Sequence, residues 1–186
     1  VLLKKHKLPV VYSLMGKDAI EETYNHNMGL IGSYGNRYGN LALANADLIL
    51  VLGSRLDTRQ TGTSLETFAR EAKIIQVDID ENELGSKVKV DLGIHSDAKD
   101  FISRLNSHSF DINIKEWLDR LDVYKNSFSS TIGIDKQEKV PNLVVEKISR
   151  FLGEETVCVD VGQHQMWVAQ SLCVKENQRI LFSGGM

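Results

Sequence analysis

Residues 44–62 read ANADLILVLGSRLDTRQTG, and their reading decides the fold. Leu48, Ile49, Leu50, Val51 and Leu52 form an unbroken apolar run of strand length. Such a run predicts a parallel strand covered on both faces. The chemistry then changes abruptly to Gly53, Ser54, Arg55, Asp57, Thr58 and Arg59. In open α/β sheets, ligands bind outside the carboxyl ends of the strands. Gly53 lets a backbone approach a ligand closely. Arg55 and Arg59 carry planar donor forks that suit phosphate. The same charges also fit a solvated surface loop.

On the amino side, residues 9–14 (PVVYSL) predict a strand rich in β-branched residues. Met15, Gly16 and Lys17 then predict a turn, and Asp18 the cap of a short helix over 19–24. Gly29, Gly32, Gly35 and Gly39 crowd into eleven residues, interleaved with Met28, Leu30, Ile31 and Tyr34. That pattern marks a loop with unusual dihedrals or close backbone contact. It is not the spaced GxGxxG fingerprint of a nicotinamide site. A small-residue helix over 40–46 leads into the central strand. On the carboxyl side follow a helix over 63–72, a strand over 73–79 (KIIQVDI), a short strand over 88–92 and a turn over 94–97. A helix over 98–106, capped by Asp97, comes next. Asp78, at a strand end, suits a ribose hydroxyl or the cap of the following turn, where Asp80 also stands. Alternating strands and helices at these intervals mean a parallel sheet with crossover helices.

The rhythm breaks over 107–139. Trp117, Leu118, Leu121 and Tyr124 recur at helical spacing and predict a helix over 113–128. Residues 127–139 (SFSSTIGIDKQEK) read as a polar linker, which puts a domain boundary near 135–140 and divides the chain into 1–135 and 136–186. A second α/β unit follows: a helix over 141–152 opened by Pro141, a strand over 156–160, a helix over 165–174 and a strand over 179–182. The ending SGGM reads as a strand entering a glycine turn with no helix to cover it, so the chain is expected to be a piece of a longer one.

Composition narrows the function classes. Hydrophobic residues make up 42% and charged residues 25%, ordinary for a globular protein. Twenty-five acidic against 22 basic side chains, with no basic block, argue against a nucleic-acid surface. No apolar run approaches the roughly 18 residues a membrane span needs, and VLLKKHKLPVV lacks the form of a secretory signal. The expected compartment is the cytoplasm. Cys158 and Cys173 are too few and too far apart for a metal cluster, and Cys158 is expected to fill the core of its strand. No metal ligand set and no catalytic residue is assigned.

The second chemical stretch is residues 160–167, DVGQHQMW, between a strand and a helix. A glycine turn at a helix start presents free N–H groups and the positive end of the helix dipole, a ready diphosphate site. Gln163 and His164 offer side-chain donors there, although His164 also fits a structural role. The string DVGQHQMWVAQ, with SGGM some dozen residues later, resembles the start of the diphosphate-binding domain of the acetolactate synthase (acetohydroxyacid synthase) family of thiamine-diphosphate enzymes. ADLILVLGSRLDTRQTG, IIQVDIDENELG and the Asp97-Ala98-Lys99 turn resemble that family's central domain, in the right order over nearly the whole chain.

The resemblance implies an α/β fold: a Rossmann-like, six-stranded parallel sheet flanked by helices, then the truncated start of a second α/β domain. It implies FAD in the central domain, at Leu14, Met15, Gly16, Gly29, Leu30, Ile31, Gly32, Gly53, Ser54, Arg55, Asp57, Arg59, Asp78, Ile79, Ser96 and Asp97. It implies thiamine diphosphate, with Mg2+, on Val161, Gly162, Gln163 and His164. Three departures from the family pattern stand out. Ile31 replaces a histidine, Ser96 replaces a glycine, and Asp57-Thr58-Arg59-Gln60 replaces Asp-Asp-Arg-Val. ADP is therefore the alternative occupant, since relatives of the same fold bind ADP there or nothing. The family condenses pyruvate with a second 2-oxo acid and releases CO2 in branched-chain amino-acid synthesis. Its activating glutamate and its GDG…N metal motif are not in this sequence, so the chain alone is expected to be inactive. The intact protein is expected to form a homo-oligomer, with room for a small regulatory subunit. The alternatives are another thiamine-diphosphate carboligase or decarboxylase, such as one like glyoxylate carboligase, and a non-catalytic adenine-nucleotide module.

Overall fold

The computed structural model of the chain describes residues 2–129 and 140–184. The expected linker core at 130–139 and the last two residues lie outside the described residues. A first helix α1 (Leu2–His6) leads to β1 (Val10–Tyr12), a 3-10 turn (Leu14–Ala19) and β2 (Asn27–Leu30). Helix α2 (Arg37–Ala44), β3 (Leu48–Leu52), the short α3 (Thr58–Thr61) and β4 (Lys73–Asp78) follow. Then come β5 (Leu92–His95), α4 (Ala98–Ser107) and α5 (Lys115–Phe128). The carboxyl part consists of α6 (Pro141–Ser149), β6 (Val157–Val159), α7 (Gln163–Ser171) and β7 (Ile180–Phe182).

Every strand pairing is parallel, as the alternation of elements predicts. The expected single sheet of six strands is not formed among the described residues. Instead β1–β2, β3–β4–β5 and β6–β7 make three small sheets. The division follows the apolar side chains. Tyr12 and Leu30 of the first pair share a buried cluster with Val159, Ala169, Leu172, Val174, Ile180 and Phe182. Val51, Leu56, Phe68, Ala69, Ile74 and Val88 form a separate cluster on the second sheet. A third joins Met28, Tyr38, Ala42 and Leu121, packing α5 across α2 and β2.

Several local expectations are corrected. The run Leu48–Leu52 is not covered on both faces. Ile49 and Val51 pack on the second cluster, whereas Leu48 is 55% exposed on the other side. No helix forms over 19–24, because Asp18 does not cap one: its carboxylate accepts from Arg179 Nε at 2.9 Å and from the Ile180 amide at 3.1 Å. The expected helix over 63–72 shrinks to a 3-10 turn at Leu65–Thr67, and Ala69 adopts a left-handed φ of 45° that a helix cannot contain. The strand expected over 88–92 begins only at Leu92 and runs through the expected turn to His95. Val88 is drawn into the second cluster, and Asp91 Oδ2 accepts from the Ile74 amide at 2.8 Å. Cys158 is exposed, not core: its neighbours Val157 and Val159 hold the inward positions of β6.

Lys17, in the expected turn, is 1% exposed. Its Nζ donates to Tyr12 Oη at 2.7 Å and pairs with Glu22 at 3.4 Å. Burial lowers its pKa, opposed by the Glu22 carboxylate. Burial likewise raises the pKa of Tyr12.

Candidate functional site

The loops after β3, β4 and β5 leave one end of the second sheet, since the three strands are parallel and in register from Leu48↔Lys73 to Asp78↔His95. Gly53 extends the ladder, its amide donating to Val77 O at 2.9 Å, then turns the chain at φ 58° into open space. Asp57 caps α3, with Oδ1 accepting from the Arg59 amide at 2.8 Å. Arg55 and Arg59 are exposed, and among the described residues neither forms an ion pair. They are cations held at the rim with their donors turned to solvent.

Asp78, 8% exposed, closes β4, and its Oδ1 accepts from the Asp80 amide at 2.9 Å. Asp78 O accepts from the Ser96 amide at 3.0 Å. Asp80 caps the next turn through the Asn82 amide, and that bond lowers its pKa. Ile79 is strongly exposed, and its carbonyl meets His95 Nε2 at 2.9 Å, so that nitrogen carries the proton in this pairing. Asp97 caps α4, as expected, accepting from the Lys99 and Asp100 amides.

The glycine loop after β2 reaches this rim by backbone contact. The Ser33 amide donates to Arg59 O at 2.9 Å. Gly32 has φ 99°, and a Cβ there would lie 2.0 Å from Arg59 O, so only glycine admits the approach. Every amide of the loop core is satisfied internally. Gly29 N donates to Asn27, Leu30 N to Asn36, Ile31 N to Tyr12 O and Gly32 N to Asn40. The loop is therefore a shaped wall and not an array of free amides, and the exposed cations on this rim are Arg55 and Arg59. Leu14–Gly16 turns off β1 beside β7, with Met15 exposed and Leu14 packed on the first cluster.

Val161, Gly162, Gln163 and His164 stand exposed at the start of α7, with Gly162 at the cap position. Among the described residues no hydrogen bond or ion pair joins these four to the rim loops. It is the other end of α7 that reaches the first sheet and the loop after it: Tyr12 Oη donates to Ala169 O at 3.4 Å, and Gln170 Nε2 to Tyr34 O at 2.7 Å. A surface cavity of about 470 Å³, bordered by Phe68, Arg70, Ile74, Lys87 and Lys89, lies at the amino end of β4, away from the rim.

Sequence reasoning missed the residues that hold these loops. Gln76, 2% exposed, donates to Ser54 O at 3.0 Å and accepts from the Gly85 amide at 2.8 Å, pinning two loops from the middle of β4. Its signal was an uncharged polar residue between Ile75 and Val77 in the run KIIQVDI. Asn40 clasps Gly32 through both its amide and its carbonyl at 2.9 Å. Gln165 ties α7 to Ser183 O at 2.9 Å. Among the described residues no cluster of three or more His, Cys, Asp or Glu is placed to hold a metal, and no helix is long and apolar enough to cross a membrane.

Residues 1–105 match the family model "Thiamine pyrophosphate enzyme, central domain". The chain is 36% identical over 185 residues to the acetolactate synthase large subunit of Cyanidium caldarium, which covers 96% of this chain and 32% of that protein. It is 37% identical over 188 residues to that of Corynebacterium glutamicum, covering 96% and 30%. Against that of Lactococcus lactis it is 34% identical over 188 residues, covering 99% and 32%. The chain thus spans about a third of the length of these curated relatives. With more than half of its residues matched by the family model, this chain belongs to the thiamine pyrophosphate enzymes, whose central domain it carries.

Proposed function

We propose that the chain is the middle of an acetolactate synthase-like enzyme. Residues 1–135 form its nucleotide-holding central domain, and 136–186 the start of its thiamine-diphosphate domain. The single observation that carries this reading is the relatives' collinear match across both units, from α1 through the Gly162 turn. On the central rim, Arg55 and Arg59 would hold the phosphates of FAD or ADP, and Asp78, whose Oδ1 alone accepts a bond among the described residues, the ribose hydroxyls. The exposed start of α7 suits the diphosphate of thiamine, which supplies the carbanion-stabilising chemistry when bound. Mg2+ needs oxygen ligands that the described residues do not gather. The intact enzyme would condense pyruvate with a 2-oxo acid, in the cytoplasm, as a homo-oligomer open to a regulatory subunit.

The test has two parts. ADP and FAD are titrated into the chain and its melting is followed, with a stabilisation of about 2.7 kcal/mol expected at 100 times the dissociation constant. Acetolactate production from pyruvate is then measured for the chain and for the intact enzyme, with turnover expected only from the intact enzyme. No stabilisation by either nucleotide removes the rim assignment, and turnover by the chain alone removes the predicted inactivity.

A further inference from the structure

Helix α7 ends at Ser171, and the last turn of a helix leaves its carbonyls without partners inside the helix. Here two of them are taken, one by the first sheet and one by the loop that follows it. Ala169 O accepts from Tyr12 Oη at 3.4 Å, and Gln170 O accepts from Asn36 Nδ2 at 3.4 Å. The Gln170 side chain adds a third link, donating to Tyr34 O at 2.7 Å. Its own oxygen accepts from Asn142 Nδ2 at 2.8 Å, which fixes the amide orientation so that the nitrogen faces the loop. Asn36 is buried, and its Oδ1 accepts from the Leu30 amide at 2.9 Å. The Tyr34 ring is largely exposed, so the loop tip is held by this amide contact and not by burial of its side chain.

We infer that Gln170, oriented by Asn142, is a positioning residue for the loop 32–36, and that α7 thereby links its own amino end to the nucleotide rim. The functional half of this inference rests on the ligand assignments proposed above. The mechanical half does not. Nine residues of helix span about 13 Å at 1.5 Å per residue, a rigid strut between Gly162 and the loop. Ordering the loop around a nucleotide would order the carboxyl end of α7 through the Gln170 side chain, and ordering the amino end of α7 would act in reverse with the same coupling.

The experiment is amide hydrogen exchange on this chain and on Gln170→Met, which keeps the side-chain length and removes both amide contacts. Without any ligand, exchange at 32–36 is expected to quicken about tenfold in the variant, while β4 is unchanged. Equal exchange at 32–36 in both proteins overturns the inference, and so does quickening spread over β4, which would mean general loosening. ADP is then added to both. In the parent, slowed exchange is expected at 29–36 and also at 167–172; in the variant, only at 29–36. Protection at 29–36 alone in the parent, or at both segments in the variant, refutes the coupling. Protection at neither segment in the parent refutes the nucleotide assignment and the coupling together, while the ligand-free comparison still decides the positioning role.

Discussion

Substituting alanine at Gly32 and at Gly53 separates backbone conformation from close contact. Both glycines have positive φ, 99° and 58°. At Gly53 a Cβ would meet nothing within 4 Å, so the cost is the dihedral alone, about 1–2 kcal/mol. At Gly32 a Cβ would sit 2.0 Å from Arg59 O, with Arg59 C and Gln60 Cα both at 2.9 Å. These are backbone atoms, so one loop must move by more than an ångström. That motion breaks the Ser33–Arg59 bond and strains the paired bonds to Asn40. At about 1 kcal/mol per hydrogen bond, added to the dihedral cost, Gly32→Ala loses about 3–5 kcal/mol. For a chain of this size each kcal/mol moves the melting midpoint by about 2–4 °C. The expected drop is therefore about 6–20 °C for Gly32→Ala and about 2–8 °C for Gly53→Ala, read from far-ultraviolet circular dichroism melts. Midpoints within about 2 °C of each other would refute the backbone contact between the two loops.

Arg55→Ala and Arg59→Ala should leave the melting midpoint nearly unchanged, because both side chains are exposed, yet each should weaken ADP binding about tenfold or more, as lost charge-assisted contacts do. Unchanged ADP affinity in calorimetric titration would remove them from the site. Lys17→Met tests a buried charge. Since the folded-state pKa of Lys17 lies below the ordinary 10.5, the unfolded chain binds more protons between those two values, and stability rises with pH across that window. The variant should lose this rise, with urea midpoints compared at about pH 7 and about pH 9.5. A parent whose stability falls over that interval contradicts the assignment. Cys158 is exposed, whereas the Cys173 thiol is half-buried and held above its usual pKa by burial. A disulfide reagent should therefore modify one thiol per chain at least about tenfold faster than the other, and Cys158→Ser should abolish the fast phase.

The order of elements, their parallel pairing and the polar strand ends were legible in the sequence because they rest on local rules. An apolar run ending at Leu52 followed by Gly53, or an aspartate standing before a helix as Asp97 does, carries its meaning within a few residues. The register of three adjacent strands then places Gly53, Asp78 and Ser96 at one end without further instruction. Whether a polar group is free or already spent depends on partners far along the chain, and only the tertiary structure decides it. Asp18 reads as a helix cap but bonds to Arg179 and Ile180, more than 160 residues away. Lys17 reads only as part of a turn, yet it lies buried against Tyr12 and Glu22. The grouping of strands into three sheets was equally out of reach, because Tyr12 and Leu30 join the cluster that contains Ile180 and Phe182. Sequence periodicity tells which faces are apolar; which of two such faces meet is settled by shape and closeness in space, and those exist only once the chain has folded.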